Sequence, residues 1–114
     1  MYDYDHNAPT IEHLENTHEK MFTKIRNNNP NIPIIVMSRP KFLLTNNEEM
    51  CLEIIKRTYS NAIANGDKNV YFIDGRKLME LAENEGTVDN CHPTDFGFAS
   101  MAKCVGTLLE KILK

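Results

Sequence analysis

Ile34-Ile35-Val36-Met37-Ser38-Arg39-Pro40 opens with four apolar residues, three of them β-branched, and leaves through a polar turn. A strand covered on both faces of a parallel sheet reads this way, because helices on either side leave no solvent face for polar alternation. Val70-Tyr71-Phe72-Ile73, stopped by Asp74-Gly75, repeats the pattern. Between the two runs, Cys51, Ile54, Ile55, Tyr59, Ala62 and Ile63 recur at helical spacing, with Gly66 as the expected C-cap. Ahead of the first run, Ile11, Leu14, His18, Met21, Phe22 and Ile25 mark a helix that opens near Thr10 and stops at Asn27-Asn28-Asn29-Pro30. Met1-Tyr2-Asp3-Tyr4-Asp5 reads as the end of a further strand. A short helix is predicted around 77–82, and a last helix carries Met101, Ala102, Val105, Leu108, Leu109 and Ile112 on one face. Met21, Met50 and Met101 read as core. Gly97 and Gly106 read as points where the last helix closes on the sheet.

Strands alternating with helices long enough for crossovers predict an α/β chain of about three parallel strands and about four helices, 1–114 forming one domain. Ligands in such sheets bind beyond the carboxyl ends of the strands. Asn7, Ser38-Arg39 and Asp74-Gly75 each follow a strand, so one rim is expected to gather them, with the 89–92 loop reaching it.

The chemistry concentrates in Asp89-Asn90-Cys91-His92-Pro93-Thr94. An acid three residues before a histidine can fold back within one turn and accept the Nδ1 proton. The tautomer is then fixed, and Nε2 is left to take a proton from a nucleophile. Pro93 presets φ, and Thr94 is placed to cap the last helix. Asn7, before Ala8-Pro9, reads as a turn or helix-entry residue. Arg39 either holds an anionic part of a substrate or pairs with a neighbouring acid. His13 and His18, five apart, point about 140° apart on a helix and not at one ion, so no metal is expected. Cys91, one peptide bond from His92, is badly placed as a nucleophile.

The Asp89-x-x-His92-Pro93 block ahead of a helix resembles the last sequence block of the SGNH (GDSL) hydrolases. Tyr4-Asp5-His6-Asn7-Ala8-Pro9 is similar to that family's third block, and the intervening strand–helix order is similar to the second half of its fold. The resemblance implies a flavodoxin-like three-layer sandwich, present in part as the C-terminal portion of a hydrolase domain. It implies a serine ester hydrolase acting on small acyl esters, including O-acetyl groups on carbohydrate, with no cofactor. His92 would be general base, Asp89 its orienter and Asn7 an oxyanion donor. The family's serine block and second-block glycine have no counterpart: Ser38, Ser60 and Ser100 are the only serines, and none has the glycine neighbours of a nucleophile turn. The nucleophile is therefore unassigned. A catalytically inactive α/β binding or interaction module is the alternative.

A net charge of −3 and a pI of about 5.8 give no electrostatic reason to expect nucleic acid or an anionic membrane as partner. No apolar run approaches spanning length. Cys51, Cys91 and Cys104 are odd in number and widely spaced, which favours reduced thiols and a cytoplasmic location over a disulfide scaffold. A first strand left at the sheet edge predicts recruitment of another chain, hence a homodimer.

Overall fold

A computed structural model describes residues 1–114. The elements run α1 (Ile11–Asn28), β1 (Ile34–Met37), α2 (Asn46–Ala64), β2 (Val70–Ile73), α3 (Gly75–Leu78), a 3-10 turn over Glu83–Gly86, and α4 (Asp95–Ile112). The chain gathers into two compact units, one built from residues 1–39 and 45–73 and the other from 40–44 and 74–114.

In the first unit β1 and β2 pair in parallel, in the register Ile34↔Val70 to Met37↔Ile73. All four β1 residues are buried, as the continuous apolar run predicts. The expected N-terminal strand is reduced to a single parallel bridge, Tyr2↔Val36, held by Tyr2 N–H to the Ile35 carbonyl (2.7 Å) and Met37 N–H to the Tyr2 carbonyl (3.0 Å). The sheet therefore has two strands. Asp3 and Asp5 and the turn that follows end the pairing after one residue.

The core joins Leu14 and Phe22 of α1, Ile34 and Val36 of β1, Cys51, Ile54, Ile55 and Ala62 of α2, and Val70 of β2. Thr10 caps α1 by accepting from His13 N–H (3.0 Å). Thr45 and Glu48 close a reciprocal capping box on α2, satisfying two amides that the helix start would otherwise orphan. Gly66, at φ +87°, takes the left-handed position just past the end of α2. The periodic faces are broader than their buried stripes. Met21, Met50 and Ile63 are exposed and not core, because each sits at the margin of its apolar stripe, where the helix turns toward solvent.

His18 is fully buried, its Nδ1 2.7 Å from Thr58 Oγ1 and its ring against Tyr2. Nε2 has no hydrogen-bond partner. Burial, only partly countered by the Asp5 charge, pushes the imidazole down to about 4. The unfolded chain thus takes up a proton near pH 6.5 that the folded chain refuses until about pH 4. The stability this provides is complete above pH 6.5 and is lost as pH falls through that window. Between pH 7 and pH 5 the loss should be about 2 kcal/mol. Urea titrations at the two pH values check it: His18→Leu with Thr58→Val should flatten that part of the slope.

In the second unit the first turn of α4 packs on Gly86. Only Gly97 and Ser100 of α4 are fully buried. Ser100 Oγ donates to the Leu78 carbonyl (2.6 Å) and accepts from Leu81 N–H (3.2 Å), tying α4 to the end of α3. The short helix expected at 77–82 lies earlier, at Gly75–Leu78, because Asp74 caps it by accepting from Arg76 N–H. The expected face of α4 is half-buried at Met101, Val105, Leu108, Leu109 and Ile112 and exposed at Ala102. Gly97 closes on Gly86 and not on a strand. Gly106 has open space around it, so no close approach explains that glycine. No helix is long and apolar enough to cross a membrane.

Candidate functional site

Residues 87–93 form a closed loop. Thr87 and Pro93 bridge antiparallel, and Val88 N–H donates to the His92 carbonyl (3.0 Å). Asn90 sits at φ +63°, a conformation asparagine tolerates better than most side chains, and there the chain doubles back. Asp89 thereby faces His92. Its Oδ1 accepts from the backbone N–H of His92 (2.7 Å) and of Cys91 (3.0 Å), and its Oδ2 lies 2.5 Å from His92 Nδ1. The backbone hydrogen bond from His92 and then the bond to its ring, with the Cys91 amide adding, outweigh desolvation and hold the Asp89 carboxyl down at about 2. Asp89 is thus ionised across the neutral range. Its contact with Nδ1 engages the ring, and the two amides it accepts shape the loop that presents the ring. His92 is exposed, so Nε2 faces solvent with Nδ1 engaged.

The loop is fastened below by Thr94. Its backbone N–H donates to the Gly86 carbonyl (2.9 Å), its Oγ1 donates to the Glu85 carbonyl (3.0 Å), and the same oxygen caps α4 by accepting from Gly97 N–H (3.1 Å). Thr94 as N-cap agrees with the reading from sequence. The Gly86 side of the clamp had no signal in a single chain, because it depends on two glycines eleven residues apart meeting in space.

In the first unit Asn7 stands exposed on a turn closed by Ala8 N–H to the Asp5 carbonyl (3.2 Å). Asp5, which opens that turn, is buried. Its carboxylate accepts from Arg39 backbone N–H (2.9 Å), Nε (3.2 Å) and Nη2 (2.6 Å). Arg39 Nη1 also donates to Glu48 Oε1 (3.2 Å). Burial opposes the Arg39 charge, but the hydrogen bond and charge of Asp5 more than offset it and raise the guanidinium pKa. Of the two roles open to Arg39, pairing with a neighbouring acid is therefore realised. A groove of about 500 Å³ beside the turn is lined by Asp5, Ala8, Thr10, Arg39, Glu48 and Cys51, among others. Asp5 and Glu48 were not singled out from sequence. Thr45-x-x-Glu48 carried a legible capping signal, whereas Asp5 in a polar turn carried none.

Ser38 and Ser100 are buried, and Ser60 is exposed in the middle of α2. The three cysteines are free. Burial raises the thiols of Cys51 and Cys104, which disfavours the thiolate a nucleophile needs. Cys91 is half-buried, its amide bound to Asp89. No group of three His, Cys, Asp or Glu side chains converges as a metal site.

Solved structures resemble this chain in fold. The chain superposes on a protein assigned as a GDSL-like lipase from Bacteroides ovatus ATCC 8483 with a TM-score of 0.76 and 27% identity, covering 92% of this chain and 33% of that one. A family two carbohydrate esterase from Clostridium thermocellum, solved with cellohexaose, gives a TM-score of 0.71 at 17% identity, with 90% and 30% coverage. The salicylyl-acyltransferase SsfX3 of a tetracycline biosynthetic pathway gives 0.65 at 19% identity, with 90% and 33% coverage. These last two likenesses speak for the fold alone, and the chain spans about a third of the length of each of the three. Among curated proteins, none matches it. The α/β fold with its small parallel sheet is that of the GDSL neighbours. A model of the GDSL-like lipase/acylhydrolase family matches residues 6–110, a span that holds both the Asn7 turn and the Asp89–His92 loop, and the chain belongs to that family.

Proposed function

We propose that this chain supplies the acid–base part of a GDSL-type ester hydrolase site, as the C-terminal portion of the hydrolase domain. The observation that carries the reading is the Asp89 Oδ2–His92 Nδ1 contact at 2.5 Å, with the same carboxylate taking two backbone amides. His92 Nε2 would remove the proton from an attacking hydroxyl, and His92 would return it to the leaving alcohol. Asp89 would stabilise the imidazolium in between. Asn7 would donate its amide to the oxyanion of the tetrahedral intermediate. The buried Ser38 and Ser100 and the mid-helix Ser60 are poor nucleophiles, so the attacking serine would come from polypeptide outside residues 1–114. Small acyl esters are the expected substrates. O-acetylated carbohydrate is one class, in line with the carbohydrate esterase among the structural neighbours.

Hydrolysis of p-nitrophenyl acetate beside His92→Ala tests the assignment. Turnover that depends on His92 is expected of the assembled enzyme; turnover indifferent to His92 would remove it from the chemistry. Turnover by residues 1–114 unaided would show that one of the chain's own side chains attacks. The placement of the three serines also favours a second reading, a non-catalytic α/β binding module. Absence of His92-dependent acyl transfer by residues 1–114 would leave two readings, a portion that awaits the rest of its hydrolase domain or that module.

The outer side of the N-terminal segment has no strand beside it, and an open edge can recruit another chain. A homodimer through that edge is accordingly part of the proposal, and a clean monomer in light scattering at micromolar concentration would remove it. Free thiols throughout support a reducing, cytoplasmic setting.

A further inference from the structure

We infer that Arg39 is a positioning residue for Asn7, acting through Asp5, and that it does not contact substrate. The inference rests on the assignment of Asn7 to the oxyanion site. Asn7 lies at the third position of a four-residue turn whose first residue is Asp5. A turn at the surface held by one 3.2 Å hydrogen bond would sample many side-chain directions. An oxyanion donor must instead be fixed before the charge develops.

Three restraints fix this turn. Upstream, Tyr2 is bonded to both Ile35 and Met37 of β1. Downstream, Thr10 caps α1. At the turn itself, the Asp5 carboxylate has no exposed surface and takes a backbone and a forked side-chain donation from Arg39, whose own side chain is 15% exposed. Arg39 follows β1 directly, and its remaining arm reaches Glu48, whose other oxygen accepts from Thr45 N–H in the α2 capping box. One guanidinium thus ties the Asn7 turn to the end of β1 and the start of α2. The fork is what makes this specific: a planar guanidinium holds two carboxylate oxygens at a fixed angle, and an ammonium does not.

Arg39→Gln and Arg39→Lys, each with and without Asn7→Ala, test this by amide exchange and by ester hydrolysis. In Arg39→Gln the Asn7 side-chain resonances should move, and Ala8 amide exchange should speed up on the order of 10-fold or more. The amides of β1 and of the α2 interior should keep their protection. Arg39→Lys should fall between, retaining charge without the fork. In turnover, Arg39→Gln should lower kcat and leave KM unchanged, with little further loss once Asn7 is alanine. A raised KM at constant kcat would make Arg39 a substrate contact and overturn the inference. So would unmoved resonances over 5–8, or an equal loss of protection throughout β1 and α2. If the assembled enzyme, wild type included, hydrolyses no ester, the enzymatic reading falls, and the exchange comparison still decides whether Arg39 places the turn.

Discussion

Replacing His92 with alanine should lower ester hydrolysis by the assembled enzyme by about two to four orders of magnitude, the usual value of a positioned general base, without unfolding the chain. The separation follows from the geometry. The His92 ring is 75% exposed, and its one hydrogen bond is to Asp89. What the fold requires of residue 92 is its backbone, which donates to Asp89 and accepts from Val88. Alanine keeps both. Asp89→Ala should behave differently: it removes the acceptor of two backbone amides and so loosens the loop as well as the ring. Asp89→Asn retains an oxygen acceptor for those amides and should preserve the loop better while still losing rate. Steady-state kinetics with circular dichroism on the three variants would separate the effects. The acid limb of the rate profile should not come from Asp89, which stays ionised down to about pH 2.

Gly97→Ala should destabilise residues 74–114 by about 3 kcal/mol or more, at or beyond the upper end of ordinary overpacking. A Cβ on Gly97 would stand 2.0 Å from the Gly86 carbonyl oxygen and 2.9 Å from its carbon. That neighbour is backbone, so no rotamer change relieves the clash. The Gly86 oxygen is also the acceptor of Thr94 N–H, so any shift that makes room pulls on the residue that closes the loop. The expected observations are a large fall in the urea midpoint and a changed environment for His92. Gly106→Ala is the matched control in the same helix: with nothing within 4 Å, it should be neutral or stabilising by up to about 1 kcal/mol through helix propensity. Equal effects of the two substitutions would dismiss the clamp.

Burial in α4 marks where patterning stops being informative. The apolar spacing of Met101, Val105, Leu108 and Ile112 announces a helix correctly, yet the residues that α4 buries fully are Gly97 and Ser100. Helical periodicity reports which residues share a face. Which part of that face is closest to a neighbour depends on where the backbones approach, and here two glycines set that approach. The same limit applies to Met21 and Met50, apolar by composition and exposed in the structure.

What the amino-acid sequence determined by itself is local. The β-branched run at 34–36 and the apolar run at 70–73 specify two strands, the first buried throughout and the second half-buried at Tyr71 and Phe72. Thr10, Thr94 and Gly66 mark helix ends, and three-residue spacing lets Asp89 meet His92 within one turn. Each of these needs only neighbours along the chain, so the physics that decides it is written in adjacent residues. Tertiary structure decided the rest. It reduced the N-terminal strand to a bridge at Tyr2, joined Gly86 to Gly97, and delivered Arg39 to Asp5 across thirty-four positions. Contacts of that kind form only when the burial of a shared core has already brought distant backbones together, and no spacing within one sequence encodes them.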